Sequence, residues 1–478
     1  MASRPAQPLR LLAGLRRRPP PCAHSFRIAS LHPARKCQLR AFSATPRSLH
    51  TPSPTTPTPP SHHFQSSNST LVPAATYLAT TSATDSFTPL PNRGFVAVDG
   101  PDAVKFLQGL TTNQMGLIER GGDGVFCAFL TAQGRVLYDA FIYPHNTGPT
   151  FPHPTFLIEH DARHTPALLL HLKRHKLRAK ISITDVSATY TAWQIWGPAT
   201  AAMWGVNVVR DEVVGGVALP LGALVGRERL CDIGCRDPRH REMGLRVVLE
   251  TGGKPPLPQH FTKVPYTTYL RRRILLGIPE GADDFPTGVA LPLESNLDLM
   301  SGVDFRKGCY LGQELTIRTY HTGVVRKRIV PVQYLTAGAA ASPNIEDDDS
   351  GLAVDVGSET EDSEGVPPQT EIVVLPPSQS TTPSEQSEQS ESDQQQQQQP
   401  TRRRRPTAAT TTPKPIGRTG SHVANIGLAL VRLEYVAGGK HHIQGNDGGG
   451  AVKDMEAVLA VKGMEVGVRA VAPGWWGR

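Results

Sequence analysis

The chain has 478 residues, of which 19% are charged and 38% hydrophobic, and its formal net charge is +8. This length indicates about three domains. The excess positive charge lies at the N-terminus, since residues 1–42 carry nine Arg and Lys side chains and the first acidic residue is Asp85. The remainder is close to neutral, which argues against a nucleic-acid-binding protein. No apolar run reaches the roughly 18 residues needed to span a bilayer, so membrane insertion is not expected.

Residues 1–42 have the features of a mitochondrial presequence. They are rich in arginine and free of acids, and leucines within residues 11–15 precede Arg16–Arg18. The segment "RAFSATP" (residues 40–46) resembles a matrix-protease cleavage site with the cut after Phe42. A disordered basic tail is the alternative. The presequence interpretation predicts a soluble protein of the mitochondrial matrix, a reducing compartment in which disulfides are not expected.

A linker and a region of mixed helices and strands are predicted after the presequence. Residues 43–85 are rich in Ser, Thr and Pro and are predicted to be a disordered linker. Helices are predicted over 100–115, 166–177 and 267–277, a hairpin over 124–143, and strands over 155–162, 180–186, 191–197 and 244–250. This order is not a strict βαβ alternation, so an α+β fold is favoured over a doubly wound sheet. Residues 86–337 are assigned to these α+β domains.

A β-rich C-terminal domain begins with a strand over 325–335 and resumes at 416–478. Between them, residues 338–415 form a low-complexity insertion that is predicted to be mostly disordered, with one strand at 370–377. Its Gln394–Gln399 and Arg402–Arg405 runs are interpreted as solvated rather than as a binding site. Surface loops tolerate such insertions at small entropic cost.

Four cysteines remain beyond the presequence: Cys127, Cys231, Cys235 and Cys309. Cys231 and Cys235 form a C-x3-C pair near His240, but this spacing is not that of a zinc knuckle and no second pair follows. A strand that carries two small thiols is therefore the favoured interpretation of this pair.

Cys309 lies within "KGCYLGQE" (residues 307–314), just before a helix predicted from Leu311. A helix N-terminus and a lysine two residues away both stabilise a thiolate. Gly308 and Gly312 are expected to permit close backbone approach or positive φ. Cys309 is accordingly interpreted as a packed thiol, a nucleophile or a ligand. A local Cys–His pair is not expected, because His321 lies roughly 15 Å further along a continuous helix.

The octapeptide, with "FLQGLTTNQM", "AFLTAQGRVLYDAFIY" and "LPLESNLDLMSGVDFRKGCY", resembles the YgfZ-type proteins. That family is related to the glycine-cleavage T-protein (GcvT), a folate-dependent aminomethyltransferase. The resemblance covers residues 87–335 and 417–436, and with the presequence it is strongest to the mitochondrial iron–sulfur cluster assembly factors of the family. It implies a three-part, ring-like fold with two mixed α/β domains and a C-terminal β-barrel that the insertions split.

The resemblance also implies a non-enzymatic function. The protein would act with A-type scaffold proteins to form or transfer [4Fe–4S] clusters for matrix apoenzymes such as aconitase and lipoate synthase. Because a stable cluster usually takes four cysteine ligands, Cys309 would hold a transient cluster together with a partner's cysteines. Tetrahydrofolate would occupy a central cavity, as in relatives.

Motif membership implies roles for further residues. Lys307 would favour the thiolate, and Asn296 and Asp298 would line the cavity. Gln313, Glu314 and Arg318 would orient the loop or bind folate or the partner. The motif and cavity residues are Lys307, Gly308, Tyr310, Gly312, Gln313, Glu314, Arg318, Asn296 and Asp298. A simple i,i+4 pair of Glu314 with Arg318 is an equal alternative.

Two other functions stay open. One is a tetrahydrofolate-dependent aminomethyl- or one-carbon transferase. Two features argue against it: the unusual cysteine motif, and Asp139, a single carboxylate where those enzymes carry paired acids. Separately, Gln114 replaces an acid of the common family form, which argues against a charge role at that position. The other is a thiol enzyme of unknown substrate.

Overall fold

The computed structural model describes residues 70–145, 155–203, 230–336, 351–357, 365–375, 415–437, 459–464 and 466–476. The predicted presequence, residues 43–69 of the predicted linker and the Gln and Arg runs at 394–405 lie outside these described residues.

The linker prediction is wrong from residue 70 onward. Leu71–Pro73 form strand β1 and Ala74–Ala83 form helix α1. Ala74 is buried in a core cluster against which Tyr77 and Leu78 pack, and Arg272 donates a hydrogen bond to Thr81 Oγ1 over 3.0 Å. Contacts with chain nearly 200 residues away therefore order a helix that its own composition does not predict.

The first sheet is antiparallel and has the strand order β4-β5-β6-β3-β7. Its strands are β3 (Arg93–Asp99), β4 (Val125–Leu130), β5 (Val136–Pro144), β6 (Thr155–Asp161) and β7 (Ser182–Asp185). The predicted hairpin is β4–β5. Helices α2 (Ala103–Gln108) and α3 (Thr165–Lys176) pack through apolar side chains on one face of this sheet.

Helix α2 is much shorter than the predicted 100–115. It ends at Gly109, after which Thr111 forms an isolated bridge with Phe129 of β4 and the N–H of Thr112 donates to the carbonyl of Ala128 over 3.0 Å. Pairing with the sheet at Thr111 and Thr112 thus replaces the predicted continuation of the helix.

The second sheet has the order β11-β2-β8-β10-β9, with only the β11–β2 pair parallel. Its strands are β2 (Ser86–Leu90), β8 (Tyr190–Trp196), β9 (Ile233–Arg236), β10 (Leu245–Glu250) and β11 (Thr262–Lys263). Helices α4 (Thr200–Met203) and α5 (Tyr266–Leu275) follow β8 and β11. Buried side chains of both sheets, including Phe126, Phe141 and Trp196, form one shared core.

The C-terminal strands close into a barrel of order β12-β16-β15-β14-β17-β18. They are β12 (Lys327–Thr336), β14 (Glu371–Val374), β15 (Gly417–Val423), β16 (Ile426–Arg432), β17 (Leu459–Val461) and β18 (Val466–Ala470). Strand β13 (Ala353–Asp355) pairs with β1 outside the barrel. Because β12 precedes the insertion and pairs with both β16 and β18, the barrel is assembled from chain on both sides of it. The predicted α+β class with a split C-terminal barrel is confirmed.

Helix α6 (Gln313–Thr322) connects the Cys309 loop to the barrel. Among the described helices, including α6, there is none with the length and apolar character that crossing a membrane requires.

Candidate functional site

Cys309 is exposed, on the loop that leads into α6. The other cysteines that the structure describes are less accessible: Cys127 and Cys235 are buried and Cys231 is half-buried. Burial raises the pKa of the Cys127 thiol to about 12 and that of Cys235 well above its usual value. The interpretation of Cys309 as a packed thiol is therefore wrong, and the structure presents this thiol to solvent.

Lys307 anchors the loop. Its side chain turns away from solvent, and its Nζ lies 4.7 Å from the centre of the Tyr310 ring. The ammonium donates to three backbone carbonyls at the end of α2 and in the turn after it, those of Gln108, Thr111 and Asn113. Burial lowers the pKa of this ammonium to about 8. The interactions that fix the Lys307 side chain are thus with backbone, a role that the sequence did not predict.

The turn after α2 makes further bonds to the same loop. Thr112 Oγ1 donates to the carbonyl of Gly302 over 2.6 Å, and Asn113 Nδ2 donates to the carbonyl of Ser301 over 2.9 Å. The N–H of Leu311 in turn donates to the carbonyl of Gly109 over 2.9 Å. Both ends of the Cys309 loop are therefore fixed to the end of α2 and the turn after it.

The two glycines of the motif differ in their surroundings. Gly312 has φ +78°, and a Cβ built on it would lie 2.2 Å from the carbonyl oxygen of Thr131 and 3.1 Å from the Cα of Gly134. The expectation of positive φ and close approach holds for this residue. Gly308 is exposed, its φ is outside the left-handed range, and apart from its two chain neighbours no residue has an atom within 4 Å of a Cβ built on it. The fold itself does not require a glycine at 308.

The remaining motif residues divide into inward and outward side chains. Tyr310 is buried, and its N–H donates to Gln313 Oε1 over 3.2 Å. Glu314 and Arg318 are exposed, and neither makes a side-chain hydrogen bond or ion pair with any residue in the described ranges. The alternative of an i,i+4 pair is thus not observed. Around Cys309, α6 presents unpaired charge to solvent.

Asn296 and Asp298 join the segment before the loop to the barrel. Asn296 is fully buried with φ +61°, and its Nδ2 donates to the carbonyl of Ile329 over 2.7 Å. The Asp298 carboxylate accepts two bonds from the Arg328 guanidinium, over 2.9 and 2.8 Å. These contacts are with β12, so both side chains support the architecture around the loop.

Sequence reasoning missed a network of buried charges between the two sheets. Glu159 of β6 accepts from Arg246 of β10 and from Arg93 of β3, and Arg246 also donates to Glu280 over 2.9 Å. Arg239 completes the group by pairing with Glu280 over 2.6 Å. Burial alone would raise the pKa of Glu159, but Arg246 and Arg93 overcome it and lower this pKa to about 2. The sequence signal for this network is a charged residue inside an otherwise apolar strand, such as Glu159 in β6 or Arg246 in β10.

Asp139, the one carboxylate at the position where aminomethyltransferases carry paired acids, lies in this network. It is 1% exposed, its Oδ1 accepts from the N–H of Gly281 over 3.1 Å, and its Oδ2 lies 3.8 Å from Arg93 Nη1. Burial raises the pKa of this carboxyl. Its position between the sheets is unsuited to exchanging protons with a substrate from solvent.

A tetrahydrofolate site stays a prediction of the family resemblance. Between the sheets, the guanidinium groups of Arg93, Arg239 and Arg246 are already paired with carboxylates. An open groove of about 400 Å³ lies beside the barrel, but its one apolar side chain offers no ring on which a pterin would stack; the lining residues are Glu294, Val324, Arg326, Lys327 and Arg432. In the described part of the chain, no group of three or more His, Cys, Asp or Glu side chains is placed to hold a metal ion.

A Neurospora crassa protein named "Iron-sulfur cluster assembly factor IBA57 homolog, mitochondrial" is 44% identical over 269 residues, which are 55% of this chain and 56% of that protein. Proteins of the same name from Aspergillus fumigatus (42% identical, 53% of this chain and 58% of that protein) and Pyricularia oryzae (40% identical, 60% and 65%) are also similar. The chain spans less than two thirds of the length of these relatives.

Residues 397–478 match the family model for the CAF17 C-terminal beta-barrel domain, in agreement with the closed barrel. A solved structure of the glycine cleavage system aminomethyltransferase T from Bartonella henselae aligns with a TM-score of 0.48 at 13% identity, over 84% of this chain and 88% of that one. That alignment is too weak to carry a conclusion. The relatives and the barrel match confirm the resemblance predicted from the KGCYLGQE motif: over about half of its residues, this chain is similar to mitochondrial iron–sulfur cluster assembly factors, and its C-terminal part matches the CAF17 barrel family.

Proposed function

We propose that this protein is a non-enzymatic assembly factor for iron–sulfur proteins of the mitochondrial matrix. It would act with A-type scaffold proteins in the formation or transfer of [4Fe–4S] clusters to apoenzymes of the aconitase and lipoate synthase type. The cluster is cargo in this proposal, and Cys309 is its ligand on this chain. The observation that carries the proposal is the exposed Cys309 thiol on an anchored loop, with open space at Gly308 beside it.

The chemistry of the loop supports transient binding. A stable cluster usually takes four protein ligands, whereas Cys309 is a single thiol with no second exposed cysteine in the described ranges. A partner that brings the other cysteines would complete the set and would take the cluster away when it leaves. Exposure allows the thiolate, which is the metal-binding form, to reach such a partner.

The anchoring of the loop supports the same role. Lys307, Thr112 and Asn113 fix the segment before Cys309 through side-chain bonds to carbonyls. The segment after Cys309 is fixed by the N–H of Leu311, which donates to the carbonyl of Gly109. A ligand that is positioned before binding loses less conformational entropy when the partner arrives. The names of the fungal relatives agree with this function and with a mitochondrial location, although the match covers only part of each.

The proposal is tested by mixing the protein anaerobically with an A-type scaffold protein that carries a cluster. We expect the wild type to change the visible absorption and circular dichroism of the cluster as a shared complex forms, and Cys309→Ser to abolish that change. Cys231→Ser is the matched control, because it also removes one thiol but a half-buried one. Cluster spectra that respond equally to wild type and Cys309→Ser would refute a ligand role for this cysteine.

A cellular measurement complements the mixing experiment. A strain whose only copy carries Cys309→Ser should lose aconitase activity and protein lipoylation, while a strain with Cys231→Ser keeps both. Normal lipoylation in the Cys309→Ser strain, at normal protein level, would show that this thiol is dispensable for the proposed function.

The alternative of a tetrahydrofolate-dependent aminomethyl- or one-carbon transferase has less support. Such chemistry needs positioned acid–base groups, and Asp139 is enclosed between the sheets. Turnover of an aminomethyl-lipoyl carrier protein with tetrahydrofolate would favour this alternative over the proposal.

A further inference from the structure

The second half of α3 and the loop after it form a strongly basic surface. There is no acidic residue between Asp161 and Asp185. In the same stretch, residues 173–180 contribute five cations, Lys173, Arg174, Lys176, Arg178 and Lys180. All but the half-buried Lys176 are exposed. We refer to residues 170–180 as the basic face.

The cations of the basic face have no acidic partners among the residues that the structure describes. None of the five forms an ion pair with a residue in the described part of the chain. The nearest acid in the hydrogen-bond pattern is Asp102, which accepts from the backbone N–H of Lys180 over 2.7 Å rather than from its ammonium. The basic face therefore carries an uncompensated positive charge that is available to an external anion.

Two leucines on the basic face are unusually exposed. Leu170 is 70% exposed and Leu177 is 88% exposed, whereas Leu168 and Leu172 of the same helix are fully buried against the first sheet. Leu170 lies within α3, and Leu177 directly follows its last residue, Lys176, with a non-helical φ of 44°. Leu168 and Leu172 thus pack α3 on the sheet, whereas Leu170 and Leu177 have no part in that core.

We propose that the basic face is a docking site for an anionic phospholipid bilayer. Clusters of four to eight Lys and Arg residues on an amphipathic helix attract anionic headgroups, and each cation near the surface strengthens adsorption roughly fivefold. Leucines that lie among the cations enter the boundary between headgroups and acyl chains. The protein would lie on the membrane surface through α3 without spanning the bilayer.

The side chains of the basic face favour lipid over other polyanions. Sites for single-stranded nucleic acid combine cations with aromatic side chains on which the bases stack, and residues 170–180 contain no Phe, Tyr or Trp. Energetic centres of protein interfaces are enriched in Trp, Tyr and Arg, with leucine under-represented. A bilayer needs no precise geometry, only cations and aliphatic side chains on one exposed surface, which is the composition found here.

The test measures adsorption of the full chain to vesicles of phosphatidylcholine alone and of phosphatidylcholine with an equal part of phosphatidylglycerol. Because residues 1–42 are also basic, the readout must be local, and hydrogen–deuterium exchange of the peptide that covers residues 165–180 provides it. We expect protection of this peptide, strongest at the end of α3, on anionic vesicles only.

Variants then separate charge from apolar contact. Lys173→Gln with Arg178→Gln should weaken adsorption roughly 25-fold, while the control pair Arg326→Gln with Arg432→Gln removes the same charge from the barrel groove and should leave the protection at 165–180 intact. Leu170→Ser with Leu177→Ser should abolish the part of the binding that persists at high salt, since salt screens the electrostatic attraction but not the apolar contact.

Three outcomes would overturn the proposal. The first is unchanged exchange at 165–180 on anionic vesicles at low salt. The second is equal loss of protection in the control pair. The third is protection at 165–180 by a poly-glutamate peptide or by single-stranded RNA but not by vesicles, which would assign the basic face to a protein or a nucleic acid.

Discussion

Replacing Gly308 by alanine should leave the protein stable and yet impair cluster transfer. Apart from its two chain neighbours, no residue has an atom within 4 Å of a Cβ at this position, and the backbone is outside the left-handed region. The unfolded chain loses conformational freedom on a Gly→Ala change, so the free energy of unfolding should stay the same or rise by roughly 0.4–1 kcal/mol. The new methyl group would instead lie in the open space at residue 308, directly before Cys309 in the chain, on the loop that we propose the partner approaches.

Gly312→Ala provides the contrast within the same motif. At φ +78° an alanine is strained by about 1–2 kcal/mol. Its Cβ would lie 2.2 Å from the carbonyl oxygen of Thr131, a backbone atom that cannot rotate away, and overpacking of this kind costs a further 1–3 kcal/mol or so. We therefore expect a loss of roughly 2–5 kcal/mol in the free energy of unfolding.

Both variants are measured by urea unfolding at equilibrium and by cluster exchange with a loaded A-type scaffold. Gly308→Ala should unfold like the wild type and exchange cluster more slowly. If Gly308→Ala is destabilised as much as Gly312→Ala, the loop is not placed as the structure has it. If it unfolds and exchanges like the wild type, the open space beside Cys309 is not used by a partner.

Further predictions concern the anchor and the buried charges. Lys307→Met should lower the free energy of unfolding by about 3 kcal/mol, because three carbonyls lose a charged donor; little change in stability together with much slower alkylation of Cys309 would instead show that the ammonium acts on the thiol. Glu159→Gln should cost roughly 3–5 kcal/mol, since it leaves buried guanidinium charge uncompensated, and a wild-type urea midpoint would contradict the network. Burial lowers the pKa of His160 to about 4, so between pH 6.5 and 4 the unfolded chain binds a proton that the folded protein does not. Stability should therefore be complete above pH 6.5 and fall toward pH 4, and His160→Gln should make the melting temperature less dependent on pH in this range; an unchanged slope would exclude His160 as the cause.

The elements that the sequence predicted well are those whose stability is local. The hairpin β4–β5 consists of two largely apolar runs around a short turn, and α3 has a proline in its first turn and basic residues in its last. Cys309 was identified from its motif, and its exposure agrees with a binding role. These signals lie within a few residues of the feature that they predict.

The predictions that failed depend on chain far away. Helix α2 stops early because the residues after it pair with β4 and receive the Lys307 ammonium from about 200 residues downstream. Helix α1 forms because α5 and the insertion strand β13 cover it. The role of Lys307 could not be deduced from its neighbours in sequence, since its three acceptors are backbone atoms of another segment.

The buried charges also limit how the molecule moves. Glu159 belongs to one sheet and Arg246 to the other, and separating them would strand both in a low-dielectric interior at a cost of roughly 3–5 kcal/mol for the pair. We therefore expect the two sheets to behave as one rigid body, without the hinge that lets many two-lobed proteins close on a ligand. Cargo would then have to be received at the surface, and the motion that brings further thiols to Cys309 would belong to the visiting protein.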